Sequence, residues 1–310
     1  MTTSSYPHLP VLYQEIILAI NPRPSGRYID ATLGAGGHAS GILEQSSPDG
    51  ELLGLDRDPQ ALAIASQRLS LYGERAHLVN DSYLHLLEQM KNLNWSAVDG
   101  IVFDLGVSSM QIDTPQRGFS FLNEGPLDMR FDPQQSLNAA DLVNHAPEKE
   151  LADLIWRFGE ERYSRRIAAA IVAARPLETT LQLASVIQKA IGSHRDRIHP
   201  ATRTFQALRI AVNEELQGIE TVLPRAIQAL APGGRLAVIS FHSMEDRIVK
   251  QTFRRESRDC ICPPDQPVCT CGHKASITEI TRHPIEPGAE EVERNSRARS
   301  ARLRVAEKLL

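Results

Sequence analysis

The chain has 310 residues, 42% of them hydrophobic, and a formal net charge of −4. That length suits one large or two ordinary domains around a packed core. So weak a net charge excludes a global basic field that recruits nucleic acid, leaving local patches for any such contact. Met1 to Pro10 lack the charged and apolar regions of a secretory signal, and no apolar run approaches the ~20 residues of a membrane span. The expectation is a soluble, cytoplasmic protein with no membrane partner.

After a short segment, His8–Leu12, the residues Ile16, Ile17 and Ile20 mark the buried side of a helix that Pro22 and Pro24 stop. A first strand is predicted over Arg27–Leu33. It runs into Gly34, Gly36 and Gly37, where a helix carrying Ile42 and Leu43 begins and continues to the turn Pro48-Asp49-Gly50. Glu51–Asp56 is the second strand. Pro59 opens a helix with Leu62, Ile64, Ala65 and Leu69 at helical spacing. Ala76–Asn80 is the third strand, with Asp81, Ser82 and Tyr83 beyond its end; a helix with Leu84, Leu87 and Met90 precedes the fourth strand, Val98–Asp104. This alternation predicts an α/β fold with a parallel sheet and right-handed crossovers.

The alternation stops at Asp104. Residues 105–135 form a long glycine- and proline-punctuated segment, and residues 138–200 read as entirely helical, with a capping box at Thr179-x-x-Gln182. We read the helical stretch as a small domain inserted into the α/β domain, giving 1–135 and 204–310 as the two parts of the main domain and 136–203 as the insertion. Phe205, Leu208, Val212, Leu216 and Ile219 then share one face of a long helix. Pro232-Gly233-Gly234 is a turn, Arg235–Ser240 a fifth strand ending at Phe241-His242-Ser243, and Glu245–Arg255 a helix. Ser276–Thr281 and Leu303–Val305 are candidates for a closing antiparallel pair.

Three of these features suggest a nucleoside ligand. The glycines remove Cβ atoms where a ligand would approach the backbone, and the helix that follows points its N–H groups at that ligand. Asp56 ends the second strand about 20 residues on, where a carboxylate accepts hydrogen bonds from a ribose. Asp104 ends the fourth strand, where a carboxylate suits chemistry on an amine because it accepts hydrogen bonds from NH2 and stabilises developing positive charge. A cap on the following turn is the simpler role for Asp104. His242 is either a general base or a residue that orients its loop. Asp128-Met129-Arg130-Phe131-Asp132 is either an internal ion-pair clasp or a substrate contact. Arginines at 157, 162, 165, 166, 195, 197 and 203, and at 294, 297, 299, 302 and 304, offer two possible phosphate-contacting surfaces or two solvated faces. Cys260-x-Cys262 and Cys269-x-Cys271, with His273 behind, are either zinc ligands or a plain exposed loop containing Pro263, Pro264 and Pro267; the usual C-x2-C spacing is absent, and no metal is assigned.

Taken together, the motifs resemble those of the bacterial small-subunit ribosomal RNA cytosine-N4 methyltransferases, the MraW family. The resemblance is carried by Asp30-Ala31-Thr32-Leu33-Gly34-Ala35-Gly36-Gly37-His38, Asp56-Arg57-Asp58-Pro59, Asp104-Leu105-Gly106-Val107-Ser108-Ser109 and Arg117-Gly118-Phe119-Ser120-Phe121. Gly125-Pro126-Leu127-Asp128-Met129-Arg130, His199-Pro200-Ala201-Thr202-Arg203-Thr204-Phe205-Gln206, Ile239-Ser240-Phe241-His242-Ser243 and Asn295-Ser296-Arg297-Ala298-Arg299-Ser300 extend it in order over nearly the whole chain. It implies a Rossmann-like class I methyltransferase sheet with an inserted small helical domain for RNA recognition. It also implies S-adenosyl-L-methionine as cofactor, small-subunit ribosomal RNA or the ribosomal subunit as partner, and methylation of N4 of a cytidine in the decoding region. The family's cofactor positions carry over to Gly36, Gly37, His38, Asp56, Tyr83, Asp104 and Gln111, with Asp104 also catalytic. Tyr83 stands where the family often has phenylalanine, and Met110 where it usually has proline. A nicotinamide dehydrogenase would share the glycine turn and the ribose acid, but the pattern here is Gly-x-Gly-Gly rather than Gly-x-Gly-x-x-Gly. A non-enzymatic assembly factor that binds RNA and senses the cofactor is the other alternative.

Overall fold

In a computed structural model, the residues described are 10–192, 198–263, 266 and 268–310. His8, Leu9, Arg195, Arg197, Pro264 and Pro267 lie outside them. The chain forms two compact units, one comprising the residues up to Gly106 together with Leu216–Leu310, the other Val107–Glu215.

The first unit is built on a seven-stranded sheet of β1 (Arg27–Asp30), β2 (Glu51–Asp56), β3 (Ala76–Asn80), β4 (Val98–Asp104), β5 (Leu230–Ser240), β6 (Ile277–Glu279) and β7 (Arg302–Lys308). Its order is β3-β2-β1-β4-β5-β7-β6. Neighbouring pairs among β1 to β5 are parallel, and β7 runs antiparallel between β5 and β6. This is the Rossmann-like class I methyltransferase sheet expected from the resemblance, including the closing antiparallel pair. Parallel strands covered on both faces read as continuous apolar runs, and side chains alternate between the two faces. Tyr28, Leu52, Val102, Ala237 and Ile239 pack with residues of α1 (Tyr13–Ile20), α2 (Gly37–Gln45) and α3 (Pro59–Leu69). Ile29, Leu53, Ile101, Phe103 and Val238 face the opposite core, which receives Leu86 and Met90 of α4 (Leu86–Asn92).

The second unit is helical and inserted between Gly106 and Leu216. It contains α5 (Ser109–Asp113), α6 (Ala139–His145), α7 (Glu148–Gly159), α8 (Ser164–Ala174), α9 (Thr180–Ile191) and α10 (Thr202–Asn213). The expected capping box starts α9, with Gln182 N donating to Thr179 Oγ1 at 3.3 Å. The unit extends beyond the helical stretch read from sequence because Leu127 and Met129 of the preceding segment are buried among Ile155, Ile167, Leu183 and Phe205. That segment is clasped by Arg130, whose Nε and Nη2 donate to the Asp128 carboxylate at 2.9 and 2.7 Å and whose Nη1 donates to Gln135 O at 2.6 Å. Burial pushes the Asp128 carboxyl up, but the hydrogen bonds and charge of Arg130 outweigh it and hold the group below its usual range. Of the two readings of this motif, the internal clasp is the one formed.

Three expectations need correction. The fifth strand begins at Leu230 rather than Arg235, so Pro232-Gly233-Gly234 falls inside it. The first strand ends at Asp30, not Leu33; beyond it Ala31 N and Leu33 N still donate to Val102 O and Leu55 O, both at 2.9 Å, so the backbone stays tied to the sheet while it turns. The long helix through Phe205 and Ile219 is two helices. Asn213 ends α10 because its side chain donates to Met129 O and accepts from Phe131 N, both at 2.7 Å. Glu214 then takes a left-handed conformation (φ 51°), and α11 (Glu215–Ala229) begins.

In the first unit, α12 (Ser243–Glu256) follows β5 and is bound to β7 by a buried ion pair. Arg304 Nε and Nη2 donate to Asp246 Oδ1 and Oδ2 at 2.6 and 3.1 Å, and the two residues are 4% and 7% exposed. Arg302 approaches the same carboxylate at 3.5 Å. The second arginine cluster is therefore not one phosphate-contacting surface, since Arg304 is enclosed in the protein. Breaking a buried pair strands one charge, so Arg304→Leu should destabilise the fold by about 3–5 kcal/mol, whereas Arg304→Leu combined with Asp246→Leu should recover much of that loss. Urea unfolding of both variants measures the difference.

Candidate active site

In the order β3-β2-β1-β4-β5 the chain runs outward from β1 in one direction and from β4 in the other. Such a reversal opens a crevice at the carboxyl ends of the strands. Asp30, Asp56 and Asp104 are the last residues of β1, β2 and β4. Their positions are fixed by the turns that follow. Asp104 N donates to Thr32 Oγ1 at 2.6 Å, while Thr32 N donates to Asp30 Oδ1 at 3.3 Å. Gly34 N and Asp58 N donate to the two Asp56 oxygens at 2.7 and 2.8 Å. The Asp56 carboxylate thus shapes the glycine turn itself.

The glycines do more packing than the sequence suggests. A Cβ on Gly36 would lie 3.2 Å from Leu69 and 3.3 Å from Ala65, and one on Gly37 would lie 2.3 Å from Pro10. At these two positions the absent side chain lets the protein close on itself. Gly34 (φ 51°) is open, with Thr32 O at 3.9 Å as its nearest neighbour, and is the position where backbone is accessible. Gly36 (φ 73°) caps α2 with no side-chain hydrogen bond, so the first N–H groups of that helix remain available for a polar ligand.

His38, in the first turn of α2, is 4% exposed and holds its Nε2 3.7 Å from Asp104 Oδ2. Both ring nitrogens of His38 and Oδ1 of Asp104 are buried and lack a hydrogen-bond partner. Buried polar atoms are normally satisfied, and those left over cluster where a ligand binds. Asp30 belongs to the same group. Burial pushes its carboxyl up to about 6; His38 and the Thr32 N–H pull it back, and the charges of Asp104 and Asp56 add to the rise. The reading from sequence missed Asp30, although its place as an acid ending an apolar run was the signal that singled out Asp56 and Asp104.

Tyr83 follows β3 at the same edge of the sheet. It packs edge-to-face on Phe103 (5.8 Å, 74°), and Gly218 makes room for its hydroxyl, which a Cβ there would approach to 2.6 Å. His242 lies beyond the end of β5, with Nε2 3.2 Å from Glu245 Oε1, and the other oxygen of that buried carboxylate accepts from Phe241 N and His242 N at 2.8 and 3.2 Å. Glu245 organises the β5–α12 turn, while both ring nitrogens of His242 are buried without a hydrogen-bond partner, so the two readings of His242 stay open. Gln111 lies in the helical unit, 7% exposed, where its side chain accepts from Ser108 N at 3.1 Å in a capping box that starts α5. The helical unit also carries exposed Arg165 and Arg166 at the start of α8; Arg203 is 3.7 Å from the buried Glu161 carboxylate, and Trp156 on α7 is 59% exposed. Sequence reasoning passed over Trp156.

The profile of the MraW methylase family matches residues 5–309. The chain belongs to that family. It is 55% identical over 307 residues to the ribosomal RNA small subunit methyltransferase H of Dehalococcoides mccartyi, covering 99% of this chain and 88% of that protein. It is 52% identical over 310 residues to the protein of the same name from Geobacter sulfurreducens, covering 98% and 100%, and 51% identical over 305 residues to that of Thermomicrobium roseum, covering 97% and 94%. None of the helices among the described residues is long and apolar enough to cross a membrane.

Asp30 makes the site sensitive to pH. Its folded pKa of about 6 lies above the ordinary 3.8, so its contribution to stability is fully present below about pH 4 and is lost as pH rises through 6. Above that range the ionised group costs on the order of 3 kcal/mol. Asp30→Asn should therefore gain stability relative to the parent as pH rises from 4 to 7, read as the difference in urea unfolding free energy. A flat difference would show that Asp30 does not titrate there.

Proposed function

We propose that this protein is an S-adenosyl-L-methionine-dependent methyltransferase acting on the exocyclic N4 of a cytidine in the decoding region of small-subunit ribosomal RNA. The observation that carries the reading is the Asp104 carboxylate at the reversal of strand order, with one oxygen buried and unpartnered and the other beside His38. The names of the curated relatives support the class of RNA.

The residues present fit the cofactor. The first N–H groups of α2 at Gly37 and His38, the Asp56 carboxylate and the half-buried Tyr83 ring are suited in turn to a carboxylate, a ribose and a purine. On this reading Gly36, Gly37, His38, Asp56, Tyr83 and Asp104 of the sheet unit hold it. When bound, the sulfonium supplies an electrophilic methyl group. The chain's own task is to present the amine. The N4 lone pair is delocalised into the cytosine ring, so the nitrogen is a poor nucleophile until it pyramidalises. Asp104 accepts one N4 hydrogen, which orients the nitrogen, raises its electron density and stabilises the positive charge that grows as the carbon–nitrogen bond forms. The amine then loses one proton, and Asp104 is the group in reach to accept it. The base must leave its stack to arrive there, which costs least in a single-stranded or loop segment. The helical unit serves RNA recognition, with Arg165 and Arg166 as phosphate contacts and Trp156 as a surface on which a base stacks.

Asp104→Asn keeps shape and removes charge, so the single-turnover methylation rate at saturating cofactor should fall roughly a hundredfold or more. An unchanged rate removes Asp104 from the chemistry. Asp56→Ala should weaken the cofactor by ~1.5–3 kcal/mol in calorimetry. Arg165→Ala with Arg166→Ala should weaken RNA binding and reduce its salt slope by about one unit per lost contact, with cofactor affinity unchanged. Mapping the modified nucleotide by mass analysis of ribosomal RNA from cells lacking the protein tests the substrate assignment directly.

A further inference from the structure

A second cluster of chemically competent side chains lies between α12 and β6, in the segment holding the four cysteines. We propose that Cys260, Cys262, Cys269 and Cys271 form a structural zinc site. Two Cys-x-Cys pairs separated by six residues are brought together so that all four sulfur atoms lie within 4.8 Å of one another. The Cys269–Cys271 and Cys260–Cys271 sulfur separations are 3.6 and 3.9 Å. Four thiolates about 2.3 Å from a central zinc occupy the corners of a tetrahedron whose edges are about 3.8 Å. A disulfide would bring two sulfurs to about 2.05 Å, and all four cysteines are free.

The surroundings support a coordinated set of sulfurs. Backbone N–H groups point at two of them, Cys262 N to Cys260 Sγ at 3.4 Å and Ile261 N to Cys271 Sγ at 3.5 Å. Such donors orient and stabilise metal-bound thiolates. His273 is not part of the converging group of ligand atoms, and its Nε2 lies 3.0 Å from Arg255 O. It anchors the base of the loop with Ser276 N, which donates to Glu256 O at 2.8 Å. Among the described residues of the loop, the apolar side chains Ile261 and Val268 are 46% and 69% exposed. Converging four sulfurs, three of them on exposed cysteines, calls for a cross-link, and a tetrahedral thiolate set suits zinc. Four protein ligands close the coordination sphere, so the site is structural rather than catalytic. The one-residue spacing within each pair, which weakened the motif in sequence, is compensated by bringing the two pairs face to face.

The full-length protein, purified under reducing conditions without chelator, should hold about one zinc per chain by elemental mass spectrometry. After removal of the metal, added cobalt should give the thiolate charge-transfer and intense ligand-field absorption of a tetrahedral sulfur site, and zinc should displace it. Cys262→Ser with Cys271→Ser should abolish both signals while circular dichroism shows the fold retained. Substoichiometric zinc that titration does not restore, iron in its place, disulfides by mass analysis of the reduced-handled protein, or cobalt absorption that persists in the double variant would each overturn the assignment.

Discussion

One hydroxyl extends the tie between the two central strands into the site. Thr32 Oγ1 accepts the Asp104 N–H while the Thr32 backbone donates to Asp30, so the ends of β1 and β4 are held in register where the strand order reverses. This matters because three carboxylates end neighbouring strands there, and like charges in a buried crevice repel. The tie through Thr32, the two backbone donors on Asp56 and the imidazole of His38 keep them in place. The cost is concentrated on Asp30, which is the most enclosed. A stable fold would gain from an amide there, and a site that needs a negative field toward a positively charged ligand would not.

What the sequence made legible follows from the same geometry. Parallel strands buried on both faces are written as unbroken apolar runs, so β2 and β4 and the acids that end them were readable directly, while β1 was read three residues too long and its terminal Asp30 was passed over. Capping residues are local, and Thr179 with Gln182 announced α9 correctly. Features that depend on distant partners were hidden. Nothing near Glu214 predicts that a helix stops there, because the groups that turn Asn213 aside are the backbone of Met129 and Phe131. Arg304 looked like one of a row of surface arginines until Asp246 enclosed it, and the glycines at 36 and 37 owe their identity to Ala65, Leu69 and Pro10. Periodicity gives an element its type; its partners settle what each side chain is for.

The helical unit shows a different economy. Its long connecting segment is fixed by three polar side chains that reach backbone groups: Arg117 donates to Arg130 O and Phe131 O, Arg130 to Gln135 O, and Asn213 to Met129 O. These bonds hold Met129 at a φ of 62°, unusual for a residue with a side chain, and 1% exposed. A segment that looked loop-like by its glycines and prolines is thereby a part of the core.

The sheet also carries a consequence for how the chain is made. β6 precedes β7 in sequence but pairs with β7, and among the described residues it has no other strand beside it. A ribosome delivers the cysteine segment and then β6 before it delivers the strand on which β6 docks. During that interval β6 lacks its partner strand, and the thiols reach solution before the edge of the sheet is finished. Assembly of this end of the molecule is thus post-dated to the arrival of β7, and whatever captures the sulfurs first has the opportunity to decide the path by which the last strands close.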